Sequence, residues 1–357
     1  MDYSSGRNHG CRIIEFTHRG LTMVTLENEL LRTTILVDKG ADITEIVDKK
    51  SDIDFMWRAP GGIRDTAKHI PTTASALGNN LDYYEGGWHE SLPCGAPCTI
   101  AGTELGLHGE VALLPWNFQV EEDSTNTVII NLTCRTCRFP FFLKKRIILQ
   151  NNSPTIIMEE TLLNESEENI EFMWGQHPTF GKPFLDDSCC IDVPAKTFTV
   201  CSSFTSPTSY FEPGFEGTWP LTVTKEGKKV DLSQIPPEND FSADLLYLKD
   251  LDEGWYAIRN QRLKLGFGLR WDLNIHPYIW YWKVFRGLNG YPWFGRTYNI
   301  GFEPWSSFPS AYDQAQANNR TLKIKGNEII KSSYMVTIFT ANKAVKKITE
   351  DGSIDFM

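Results

Sequence analysis

Two titratable side chains stand directly before a proline: Glu303 in Gly-Phe-Glu-Pro-Trp-Ser (301–306) and His177 in Gly-Gln-His-Pro-Thr-Phe-Gly (175–181). A residue before proline is pushed into extended geometry. Proline itself has no N–H to give a ladder and marks a strand end, edge or bulge. Each side chain is therefore expected to project from the mouth of a sheet, where loops build sites. A carboxylate and an imidazole held in this way are a candidate base and a candidate acid, and together they point to proton-transfer chemistry. His276 also precedes a proline, so the setting alone does not mark a site. The neighbours of Glu303 (Tyr298, Ile300, Phe302, Pro304, Trp305) are largely apolar. A carboxylate in such company needs a partner or a task, and Arg286 or Arg296 would be the structural partner.

His108 lies in Gly-Leu-His-Gly-Glu (106–110). A lone histidine in a glycine-bounded turn has a structural reading and a functional one. If this segment is a strand, His108 and Glu110 share a face, and with His177 they make a cupin-like metal set. The eight cysteines are too sparse for a disulfide scaffold. Cys134 and Cys137 face opposite sides of a strand-like run, Cys94 and Cys98 have no matching second pair, and Cys189 and Cys190 are adjacent. They read as reduced structural thiols, and the leading expectation is a site with no metal and no other cofactor.

These residues must be positioned by strands. Short runs rich in Val, Ile, Thr and aromatics recur at 21–26, 31–37, 41–47, 128–134, 142–149, 155–162, 170–174 and 334–339, punctuated by Gly, Asn, Asp and Pro. Helical periodicity is nearly absent, and only 240–248 and 310–318 read as short helices. The pattern argues for an all-β, antiparallel fold without βαβ units. No composition shift or repeat divides the chain, so residues 1–357 read as a single domain. The weakly patterned stretch 63–107 is long for a loop in a compact domain, and such loops are usually functional.

The formal net charge of −10 and pI near 5.3 disfavour nucleic acid or an anionic membrane as partner. The first residues lack a signal-peptide layout and no apolar run reaches membrane-span length, which gives a cytoplasmic expectation. Between His69 and Cys134 there is no Lys or Arg. A site built from that span favours a neutral ligand over a phosphorylated one. Trp271, Tyr278, Trp280, Tyr281, Trp282, Tyr291, Trp293, Phe294, Tyr298 and Trp305 crowd the C-terminal third. Many belong in a core, and the rest suit a stacking wall for a sugar ring.

Taken in order, Leu26-Glu-Asn-Glu, Gly40-Ala-Asp-Ile, Leu107-His108-Gly109, Gly175-Gln-His177-Pro, Glu303-Pro304 and Leu322-Lys-Ile-Lys-Gly326-Asn-Glu328 resemble the motifs of the aldose 1-epimerase (galactose mutarotase-like) superfamily over nearly the whole chain. The resemblance implies a large antiparallel β-supersandwich and interconversion of the α and β anomers of an aldose. It implies Glu303 as general base, His177 as general acid and His108 as a partner near the ring oxygen. Asp244 matches a hydroxyl-binding aspartate, with Asp272 as its rival, and Trp305 is a candidate stacking residue. Where many relatives carry a sugar-binding arginine, this chain has Leu-Gly-Asn-Asn and Gly-Gly-Trp-His-Glu, so Asn80, His89 or Glu90 would take that place. The alternatives are a hexose-phosphate 1-epimerase, a non-catalytic sugar-binding protein of the same fold, and the metalloprotein above.

Overall fold

The computed structural model describes residues 7–68, 73–75 and 77–357. Among these, most strands fall into two large sheets. The first, twelve-stranded, runs from the edge strand Arg12–His18 through Leu21–Glu27, Leu31–Leu36 and Asp42–Asp48, with Ile53–Asp54 paired to the last of these off the main path, to Trp88–Ser91. It continues through Gly175–Gly181, Tyr298–Trp305, Tyr278–Phe285 and Ser242–Lys249 to Thr197–Val200 and Glu216–Thr218. The second, eight-stranded, runs from Cys189–Asp192 through Trp255–Asn260, Leu265–Trp271, Ile329–Thr340, Thr155–Asn164, Phe141–Gln150 and Thr127–Arg135 to Asn117–Asp123. Neighbouring strands in these sheets pair antiparallel. The fold is thus all-β, as the short β-branched and aromatic runs imply.

The sheets pack face to face. Phe180 and Phe302 of the first meet Phe267 and Tyr256 of the second, with ring centroids 4.8 Å apart in both pairs. One buried apolar cluster extends from Cys11 to Ile338 and draws on both sheets. Alternation along each strand sends one set of side chains into this layer and the other to the opposite face. That parity decides which polar residues can reach the site.

Two expectations are corrected here. Residues 242–249 form a strand rather than a helix; it is buried along most of its length, and a short apolar run such as Leu-Leu-Tyr-Leu (245–248) does not separate the two by periodicity. The second short helix does form, over Tyr312–Ala317. The pre-proline strands do not lie at a sheet edge or mouth. Both are central, and the ladder between them is interrupted instead: pairing is registered at Gly175–Trp305 and again at Thr179–Gly301, with Pro178 and Pro304 in the gap. No helix among the described residues is long and apolar enough to cross a membrane.

Candidate active site

Four adjacent central strands carry one transverse row of side chains. His89 pairs in register with His177, and Glu303 with Trp280. Continuing the register between Gly175–Trp305 and Thr179–Gly301 sets His177 opposite Glu303. All four side chains line a cavity of about 330 Å³. Trp280, Trp282 and Trp293 form its aromatic wall, and Asn80, Tyr84, Ala96, Pro97 and Leu245 contribute elsewhere.

Nε2 of His177 lies 3.3 Å from Oε1 of Glu303, with both side chains buried. The other carboxylate oxygen accepts the indole N–H of Trp305 at 2.9 Å. Trp305 is two residues along and on the same face; it stacks on Trp280 at 3.8 Å and, against its reading as a stacking residue for the ligand, is not among the residues that line the cavity. Among the described residues Glu303 has no arginine partner. Arg286 reaches towards Glu238 and Gly295, and Arg296 bonds the carbonyls of Trp293 and Pro292.

A relay fixes the His177 tautomer. The carbonyl of Gly87 can only accept, and Thr179 donates its hydroxyl to it at 2.6 Å. Tyr84 donates its single proton to Thr179 at 3.3 Å. The phenol oxygen, 3.4 Å from Nδ1 of His177, is therefore left to accept Nδ1–H. The Nε2 lone pair then faces Glu303.

His108 enters from a turn, not a strand. Its backbone is left-handed (φ 62°), its N–H donates to Gly95 O at 2.7 Å, and its carbonyl accepts Leu92 N–H at 3.3 Å. Glu110 is turned away and accepts the N–H groups of Cys137 and Arg138 at 2.8 and 3.1 Å. The His108–Glu110–His177 metal set is thus not formed. A different one is: ligand nitrogens of His89, His108 and His177 lie within 4.8 Å of one another.

Burial dominates the electrostatics. Desolvation holds the Glu303 carboxyl well above the usual carboxylate range, opposed only by the Trp305 hydrogen bond. Desolvation, then the neighbouring His108, keeps His177 well below the usual imidazole value. His108 is pushed down to about 3 by burial, and His89 well below normal by burial and then by His177. Among the described residues no Lys or Arg lines the cavity. The nearby buried cations, Lys39 and Lys145, are each held between two carboxylates, Asp42 with Glu85 and Glu90 with Glu160.

The family model described as a domain of unknown function, DUF4432, matches residues 18–338. This chain belongs to the DUF4432 family. No curated protein matches it by sequence. Among solved structures, a Klebsiella pneumoniae protein provisionally assigned as an aldose 1-epimerase superposes with a TM-score of 0.73 at 13% identity, covering 94% of this chain and 85% of that one. A galactose mutarotase-like protein from Clostridium acetobutylicum gives 0.63 at 14% identity, covering 93% and 99%. A galactose mutarotase related enzyme from Lactobacillus acidophilus gives 0.60 at 16%, covering 94% and 100%. At these identities the likeness establishes the galactose mutarotase-like fold.

Of the site residues read from the DUF4432 sequence, His108, His177, Glu303 and Asn80 line the cavity. Asp244 does not. It sits beside Leu245, which does, and alternation turns it to the other face. There it accepts the Ser209 hydroxyl and the Tyr210 N–H and pairs with Lys283. Its rival Asp272 caps the turn at Asn274. Glu90 is turned inward for the same reason as Asp244, since its neighbour His89 faces the cavity; it accepts Trp174 Nε1–H at 2.6 Å and pairs with Lys145. His276 is a core histidine against Tyr334. Tyr84 was not foreseen; an aromatic with a polar handle inside the long loop was its only signal.

Proposed function

We propose that the chain is an aldose 1-epimerase-like isomerase acting on a neutral hexose or related sugar. The observation that carries this is the Glu303–His177 contact of 3.3 Å inside an aromatic-walled cavity that no Lys or Arg among the described residues lines. Anomer exchange needs removal of the O1 proton and protonation of the ring oxygen, so that the ring opens to an aldehyde and recloses after rotation about C1–C2. The pair holds one proton between its two members. In the empty site burial favours Glu303–COOH with neutral His177. Sugar hydroxyls donating to the carboxylate favour its charged form and move that proton to His177. Glu303 then acts as base and His177 as acid, roles worth roughly 10²–10⁴-fold together.

Exchange-spectroscopy NMR on a panel of neutral and phosphorylated hexoses tests the proposal. Acceleration confined to neutral sugars supports it. Preference for a phosphorylated sugar would transfer the reading to a hexose-phosphate epimerase. Binding with unchanged exchange in every sugar would make the chain a sugar-binding protein of this fold.

A further inference from the structure

Of seven histidines in the chain, three converge on this cavity from separate segments. His89 and His177 are cross-strand partners, and His108 is delivered by its left-handed turn. Ring centroids are 4.3 Å apart for His89–His177, 5.0 Å for His108–His177 and 5.3 Å for His89–His108. Nε2 of His89 and Nδ1 of His108 are buried with no hydrogen-bond partner among the described residues, while Oε1 of Glu303 has Nε2 of His177 at 3.3 Å. Orphaned buried polar atoms are costly and rare, and these two belong to histidines whose ligand nitrogens lie within 4.8 Å of each other and of His177's.

We propose that His89, His108 and His177 bind a first-row divalent transition-metal ion such as Zn²⁺, with Glu303 beside the open coordination position. Three imidazoles suit zinc and its neighbours rather than magnesium or calcium, which take oxygen ligands. Three protein ligands with one open position is the arrangement of a catalytic zinc. Zn–N bonds of about 2.0–2.1 Å in tetrahedral geometry separate ligand nitrogens by about 3.3 Å. The nitrogens, within 4.8 Å of each other, reach that spacing by side-chain rotation. The near-parallel His89 and His177 rings, 17° apart, are the pair that turns. Tyr84 supplies the outer hydrogen bond that leaves Nε2 of His177 free to ligate. With the cation in place Nε2 of His177 would be a ligand, its Nδ1–H still held by Tyr84, and His177 would give up the acid role. A bound ion would supply Lewis-acid polarisation of the oxygen at the open position, with Glu303 kept as the base. The inference rests on the isomerase reading only for the identity of that oxygen, a sugar's.

The full-length protein is stripped with a chelator, then titrated with Zn²⁺ by calorimetry and with Co²⁺ by visible absorption. One equivalent is expected, with the intense d–d bands of low-coordinate Co²⁺ and a rise in melting temperature. His89→Ala and His108→Ala should each weaken uptake by more than about 100-fold, and Tyr84→Phe, which keeps all three ligands, by about 10-fold. No stoichiometric uptake by the wild type overturns the proposal. So does uptake that neither histidine substitution changes, which would place the ion elsewhere. Anomer exchange on stripped and loaded protein separates the two readings. Full exchange without uptake removes the metal and leaves the isomerase; uptake without exchange in any sugar does the reverse.

Discussion

The phenol oxygen of Tyr84 stands 3.4 Å from Nδ1 of His177, and its own proton is already committed to Thr179. It therefore holds His177 in the tautomer whose Nε2 faces Glu303. Tyr84→Phe removes an acceptor without emptying the space. A hydrogen bond worth about 1 kcal/mol corresponds to roughly a fivefold loss of rate. Nitrogen NMR of His177 should show a mixed tautomer population in the variant. An unchanged tautomer would make Tyr84 a packing residue only.

Glu303→Gln keeps size and the acceptor for Trp305 but cannot take up a proton. Anomer exchange should fall by about 10²–10⁴-fold with sugar binding and melting temperature nearly unchanged. Wild-type exchange in this variant rules Glu303 out as the base.

The strands and the meeting of Glu303 with His177 were legible because both leave local marks: β-branched runs between turn residues, and titratable side chains before proline. Side-chain parity was not. Asp244 and Glu90 each adjoin a cavity residue, Leu245 and His89, and a shift of one position exchanges the faces. Sequence alone does not fix which of two neighbours looks into the site. The same limit hid the histidine triad. His89 meets His177 only through the pairing of the 88–91 and 175–181 strands, and neither segment encodes its partner.

Asp244 thus becomes a test of parity. Its buried ion pair with Lys283, 3.2 Å long, is a structural contact on the far face of its strand. Asp244→Ala strands the Lys283 charge and should cost about 3–5 kcal/mol of stability, measured by urea unfolding, while the KM for sugar stays within about twofold. A large KM change at unaltered stability would return Asp244 to the binding site.

Away from the cavity row, Glu160 shares Lys145 with Glu90 and faces Tyr334. Burial first, then the Glu90 charge, lifts its carboxyl to about 8, with Lys145 opposing. The folded state therefore holds a proton that the unfolded chain releases near the ordinary value of 4.5. That contribution to stability is complete below pH 4.5 and is lost as pH rises to about 8. Urea midpoints from pH 5 to 8.5 should fall more steeply for the wild type than for Glu160→Gln. Parallel slopes would show that Glu160 does not carry the extra proton.

Gly109 follows His108 at φ 74°, and a Cβ there would lie 2.0 Å from the carbonyl oxygen of Leu92. The contact is with backbone, so no side-chain rotation relieves it. Gly109→Ala adds the left-handed penalty of about 1–2 kcal/mol and forces the 106–110 turn away from the 92–95 segment that pins it. His108 moves with the turn. The loss of sugar affinity should therefore exceed what the fall in melting temperature explains, and the His108 ring signals should shift in NMR spectra while those of His276 do not. If Gly109→Ala binds sugar like the wild type at a temperature where both are folded, the placement of His108 by this turn is not what makes the site.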